Sequence, residues 1–82
     1  MANYKNTSVS EIINKLLLDA KQAQISDENI KEIEKAAKFA ELKHFGQFRK
    51  SGEPYIIHPL ATAKILLSWR MDVETIITGI LH

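Results

Sequence analysis

The sequence predicts an all-α fold of about four helices, with one chemically loaded loop between the second and the third. Two observations point there. Apolar residues return at steps of three and four along four separate segments, the spacing of one helix face. Serine or aspartate stands just before several of these segments, where a side-chain oxygen accepts from the free amides of a helix start. The short apolar run Tyr55-Ile56-Ile57 is too brief to count as a strand.

Residues 1–7 are polar and read as a flexible, frayed N-terminus. Ser8-Val9-Ser10-Glu11 fits a capping box, in which serine hydroxyl and glutamate carboxylate each satisfy a free amide. Ile12, Ile13, Leu16 and Leu17 follow at helical spacing, then Ala20 and Ala23, so the first helix is expected from about Val9 to Gln24. Ser26 is the next N-cap, with Asp27 and Glu28 in the first turn, where the helix dipole favours negative charge. Ile25 and Ile30 occupy the two positions of a hydrophobic staple. Ile30, Ile33, Ala37 and Ala40 form one stripe, a further step of four brings in His44, and Gly46 is the natural stop. Two glycines, a serine and a proline then mark Gly46 to Pro54 as a loop. Pro59 suits the first position of the third helix, which carries Leu60, Ala61, Ala63, Ile65, Leu66 and Leu67 and runs to about Trp69. Asp72 caps a fourth helix built on Val73, Ile76, Ile77, Ile80 and Leu81, and the pattern is still running at His82, without a C-cap.

Eighty-two residues make at most one small domain. A core of that size is marginal, since roughly 60% of the unfolded chain's surface is removed from water. Eleven Lys and Arg against ten Asp and Glu leave no global field to draw in DNA or an anionic membrane, so any anion site must be a local cluster. The absence of cysteine excludes disulfides and thiolate metal sites, and points to a reducing cytoplasm. The N-terminus lacks the apolar core of a signal peptide, and no apolar run approaches the roughly 20 residues of a membrane span. A soluble cytoplasmic chain is the expectation.

The loop concentrates two cations, a hydroxyl and a flexible backbone in Arg49-Lys50-Ser51-Gly52. That combination suits a phosphate or a polar base edge, although a basic loop by itself is more often solvated surface. His58 stands at a helix start beside Pro59, and His82 at the end of another helix. Imidazole is a common metal ligand and acid–base group, yet a lone histidine is more often a cap, and two nitrogen donors are few for a metal. By spacing alone the bland reading leads. His44 reads as a packed or partly exposed helix histidine, Trp69 and Met71 as core or interface residues. Tyr55 reads as a packed ring with its hydroxyl at the edge.

A longer string changes those weights. Phe39-Ala40 through His44, Gly46-Gln47, and then Arg49-Lys50-Ser51-Gly52-Glu53-Pro54-Tyr55-Ile56-Ile57-His58-Pro59-Leu60 closely resembles the start of the hydrolase domain in the RelA/SpoT homologue family. Asp72-Val73-Glu74-Thr75-Ile76 and Ile80-Leu81-His82 resemble the later run up to the histidine of that family's His-Asp pair. The resemblance covers about residues 30–82. It implies a helical HD-domain-like fragment, with residues 8–82 as the N-terminal part of an HD-type hydrolase domain truncated at its C-terminus. It implies His58 and His82 as metal ligands, Mn²⁺ as the metal, and Arg49, Lys50 and Ser51 as the loop that holds the guanosine part of (p)ppGpp. The implied reaction is Mn²⁺-dependent hydrolysis of the 3′-pyrophosphate, giving GDP or GTP and pyrophosphate, and a GTP pyrophosphokinase activity in the parent enzyme is left open. The aspartate expected after His82, a later ligand aspartate and an acidic pair have no counterpart within these residues. The 82 residues by themselves are therefore expected to bind Mn²⁺ weakly and to lack appreciable activity, with no catalytic residue assigned.

Two other classes compete. One is a small all-α interaction module, whose exposed apolar helix faces dock on a partner or on a second copy. The other is a helix-turn-helix nucleic-acid binder using Arg49 and Lys50, disfavoured by the near-zero net charge and the lack of a basic helix face.

Overall fold

The computed structural model describes residues 8–82, and the expectation of a flexible segment over residues 1–7 lies outside the described residues. Four helices follow in order: α1 (Val9–Gln22), α2 (Asp27–Lys43), α3 (Ile57–Ser68) and α4 (Val73–Leu81). Local capping explains where three of them begin. Ser8 and Glu11 form the full capping box, the Glu11 amide donating to Ser8 Oγ at 3.1 Å and the Ser8 amide to Glu11 Oε1 at 3.2 Å. Ser26 Oγ accepts from the Asn29 amide, and Asp72 Oδ1 from the Thr75 amide.

The helix ends are equally local. At the end of α1 the Ile25 amide reaches back to the Ala20 carbonyl and the Gln24 amide to Lys21, with Gln24 at φ 68°. At the end of α3 Met71 reaches Leu66 and Arg70 reaches Leu67, with Arg70 at φ 57°. Both are Schellman closures, usually made by glycine at the left-handed position. The closure stops α1 at Gln22, two residues before the expected Gln24.

α3 starts differently from the expectation. Pro59 is its third residue, because the chain enters the helix through a turn in which the Ile57 amide donates to Pro54 and His58 to Tyr55. The missing N–H of Pro59 falls where an amide has no partner inside the helix anyway, and the first α-type bond runs from Leu60 to Ile56.

Packing closes the helices into a ring, α1 against α2, α2 against α4, α4 against α3 and α3 against α1. Ile13, Leu16 and Ala20 face inward from α1, and Ile33, Ala36, Ala37 and Ala40 from α2. Leu60, Ala63 and Leu67 complete the centre from α3, with Ile76 and Ile80 from α4. The three alanines of α2 keep its inward face thin. Ile25 and Ile30, the staple pair, pack at the core margin as expected. No polar or charged residue is buried among the described residues. Trp69 and Met71 are not core residues: they are 69% and 42% exposed, because the closure of α3 turns them outward. Among the described residues, no helix is long and apolar enough to cross a membrane.

Candidate metal centre

α3 and α4 are joined by the short segment from Trp69 to Asp72, so they run back antiparallel and the start of α3 lies beside the end of α4. His58 is the second residue of α3, and His82 caps α4. Both line one cleft of about 350 Å³, with Tyr55, Pro59, Thr62, Leu66, Thr75, Thr78 and Gly79. The two histidines are exposed, and Thr62 Oγ1 donates to the His58 carbonyl at 3.2 Å.

The helices meet closely because Gly79 has no side chain. A Cβ there would stand 2.8 Å from Leu66 Cδ1 and 3.6 Å from Thr62 Cγ2. Thr62 and Leu66 follow His58 by one and two turns on α3, and His82 follows Gly79 by one turn on α4. The close approach at Gly79 therefore brings the two imidazoles to the same mouth.

The loop before α3 is a small hairpin. Phe48 and Pro54 form a bridge, the Arg49 amide donates to Glu53 at 2.9 Å, and the Gly52 amide donates to Arg49 at 2.8 Å. Gly52 sits at φ 93°, the left-handed position of a three-residue hairpin loop. Arg49, Lys50 and Ser51 are exposed at its tip, and Arg49 Nη1 lies 3.6 Å from Glu53 Oε1. These three do not line the cleft. Their link to it is Tyr55, which leaves the hairpin and forms part of the cleft wall.

Tyr55 is held from the other side by His44, the C-cap of α2. The two rings lie 4.6 Å apart at 37°, and the His44 imidazole is half-buried, as its place on the stripe implied. Of the other wall residues, Thr62, Thr78 and Gly79 carry no motif in the sequence. The signal for Gly79 was a glycine inside an apolar helix, which costs about 1 kcal/mol against alanine and so marks a packing need.

Two imidazole nitrogens suit a borderline divalent cation, but no Asp or Glu lines the cleft, and such cations usually take four donors or more. Among the described residues, no group of three or more His, Cys, Asp or Glu side chains is arranged to hold a metal. The residues present thus match part of a donor set. A second opening of about 280 Å³, between α1 and α3, is walled mainly by Ile12, Leu16, Ile57 and Leu60 and carries no imidazole.

Residues 36–82 match the HD domain family. Over 59 residues the chain is 56% identical to a guanosine-3′,5′-bis(diphosphate) 3′-pyrophosphohydrolase of Spiroplasma citri, covering 71% of this chain and 8% of that protein. Over 82 residues it is 44% identical to a protein of that name from Aquifex aeolicus, covering 100% and 11%. Over 72 residues it is 40% identical to the bifunctional (p)ppGpp synthase/hydrolase SpoT of Escherichia coli, covering 88% and 10%. The chain spans about a tenth of the length of these curated relatives.

Proposed function

The chain belongs to the HD-domain family in its RelA/SpoT branch, and on that premise we propose that it supplies the histidine-bearing half of a (p)ppGpp 3′-pyrophosphohydrolase site. The observation that carries this reading is the shared cleft of His58 and His82. In it, each histidine gives one ring nitrogen to a divalent cation, for which Mn²⁺ is our assignment. When bound, such a cation lowers the pKa of a coordinated water and neutralises charge on phosphoryl oxygens. Remaining donors come from outside these 82 residues or from solvent.

Arg49, Lys50 and Ser51 act on the nucleotide in this reading. The hairpin presents two cations and a hydroxyl on a turn that Gly52 closes at φ 93°, which fits recognition of phosphate or a base edge. Glu53, against Arg49, orients the guanidinium and lowers the net positive charge of the tip. The absence of cysteine fits a cytoplasmic setting.

Manganese titration of the isotopically labelled chain tests the site. Paramagnetic broadening is expected to be strongest at His58 and His82 and to fall off with distance from the cleft, with weak affinity. Broadening centred elsewhere, or none at either cleft histidine, would remove the reading. The same 82-residue chain is expected to turn over no ppGpp, and hydrolysis abolished by EDTA would show that two ligands suffice.

A second reading rests on the exposed apolar residues. Phe39, Leu42, Phe45 and Phe48 cluster in sequence at the end of α2 and the start of the hairpin, at 60%, 77%, 85% and 64% exposure. Apolar surface of this kind marks interaction sites, so self-association or a protein partner is the competing role. Sedimentation of the chain across a concentration series decides it: a sharp dimer lost in Phe45→Ser supports the interaction module.

A further inference from the structure

We propose that His44 is a positioning residue for the cleft, acting through Tyr55 on His58; the functional half of this inference rests on the metal-centre reading above. Three contacts form a closed circuit. The His44 Nδ1–H donates to Gln47 Oε1 at 2.9 Å. The Gln47 carbonyl accepts from the Tyr55 amide at 2.9 Å. The Tyr55 ring returns to the His44 ring at a centroid distance of 4.6 Å.

The circuit joins two elements that sequence keeps apart. His44 and Gln47 close the end of α2, whereas Tyr55 opens the turn into α3. The His58 amide donates to the Tyr55 carbonyl at 3.1 Å, so the residue gripped by His44 also anchors the backbone of the cleft histidine. Tyr55 is still 37% exposed and lies at the foot of the Phe48–Pro54 bridge. Its ring has freedom to swing unless something stacks on it. His44 is that stack, and it sets both the cleft wall and the offset of the cationic hairpin from His58.

A helix cap alone would not need this geometry. The His44 amide already donates to Ala40 at 3.0 Å, and any residue supplies that bond. The ring contributes the aromatic contact and the fixed Gln47 side chain. Partners that orient a metal-binding histidine from one shell out change affinity by about 10–100-fold when lost. An indirect link through Tyr55 belongs at the low end of that range.

The experiment compares the native chain with His44→Ala, His44→Phe and Gln47→Ala by NMR of ring and methyl groups, with and without Mn²⁺. In His44→Ala the Tyr55 and His58 ring signals are expected to move and Mn²⁺ affinity to fall about tenfold. The Ile33, Ile76 and Ile80 methyl signals should stay in place, which a general loss of structure would not allow. His44→Phe keeps a stacking ring and is expected to restore most of the Tyr55 position. Gln47→Ala is the milder probe should His44→Ala unfold, with smaller shifts at the same two rings. Native Tyr55 and His58 signals in a folded His44→Ala or Gln47→Ala chain would overturn the proposal. Ring shifts without any Mn²⁺ response in the native chain would keep His44 as a positioning residue and discard the metal.

Discussion

Gly79 of α4 faces Leu66 of α3 so closely that a Cβ on the glycine would lie 2.8 Å from Leu66 Cδ1. Two effects of alanine at position 79 oppose each other. Helix propensity favours it by about 1 kcal/mol, and displacing the Leu66 tip costs a similar amount, because a half-buried flexible end can turn aside. Gly79→Ala should therefore melt within a few degrees of the native chain and keep its Mn²⁺ affinity, because the Leu66 tip yields and the helices hold their spacing. Gly79→Val cannot be absorbed by one rotamer change, so it should cost about 1–3 kcal/mol and weaken Mn²⁺ binding as the helices part. Thermal melting beside metal titration checks both, and unaltered affinity in a folded Gly79→Val would show that the close crossing does not set the site.

Arg70 closes α3 at φ 57°, where a residue with a Cβ is strained by about 1 kcal/mol and glycine is not. Arg70 forms no ion pair among the described residues, so its side chain supplies no charge contact to offset that strain. Arg70→Gly should raise stability by about 0.5–1 kcal/mol, a rise of several degrees in Tm for a domain of this size. Gln24→Gly should do the same at the end of α1. A lower Tm for either variant would mean that the side chain, not the backbone, holds the turn.

These local rules also explain how much of the molecule is legible from its sequence. Ser8, Ser26 and Asp72 announce their helices because a cap depends on neighbours three residues away. The start of α3 is two residues earlier than Pro59 suggests, since its entry uses only main-chain bonds that leave no side-chain signature. α3 is apolar nearly all round, so its periodicity does not say that Leu60 and Ala63 turn inward while Ile65 and Trp69 face solvent. The meeting of His58 and His82 is a tertiary fact. It needs the antiparallel return of α4 and the crossing at Gly79, neither of which spacing reveals. The family resemblance points to both histidines, whereas neither spacing nor resemblance points to the His44–Tyr55 stack.

Asp72 gives an acid-sensitive start to α4. The nearby Thr75 hydroxyl, and the Thr75 amide donating to Asp72 Oδ1 at 2.8 Å, favour its carboxylate and hold its pKa below the ordinary value. A depressed folded-state pKa contributes stability that is present above the unfolded value, about 3.9, and is lost as pH falls through the folded value. The α4 amides should therefore lose hydrogen-exchange protection below about pH 4, ahead of α2. Asp72→Asn keeps an oxygen for the Thr75 amide and removes the titration, so its α4 protection should be flat across that window. A native-like acid limb in Asp72→Asn would assign the effect to another carboxylate.

The hairpin tip separates binding from folding. Exposed Arg49 and half-buried Glu53 form a solvent-accessible pair at 3.6 Å, and such pairs are worth about 0–1 kcal/mol, so the ion pair adds little to the fold. Arg49→Ala and Lys50→Ala should leave Tm nearly unchanged. If the tip binds the nucleotide, each should weaken ppGpp-induced shifts at the Arg49–Gly52 amides, and added salt should weaken them in the native chain too. Glu53→Gln should act in the opposite direction, because it frees the guanidinium and adds one positive charge to the tip. Tighter ppGpp binding in Glu53→Gln together with weaker binding in Arg49→Ala would identify charge at this turn as the recognition element. Equal loss in both variants would instead mean that Glu53 is needed to aim Arg49, and that geometry outweighs charge at this turn.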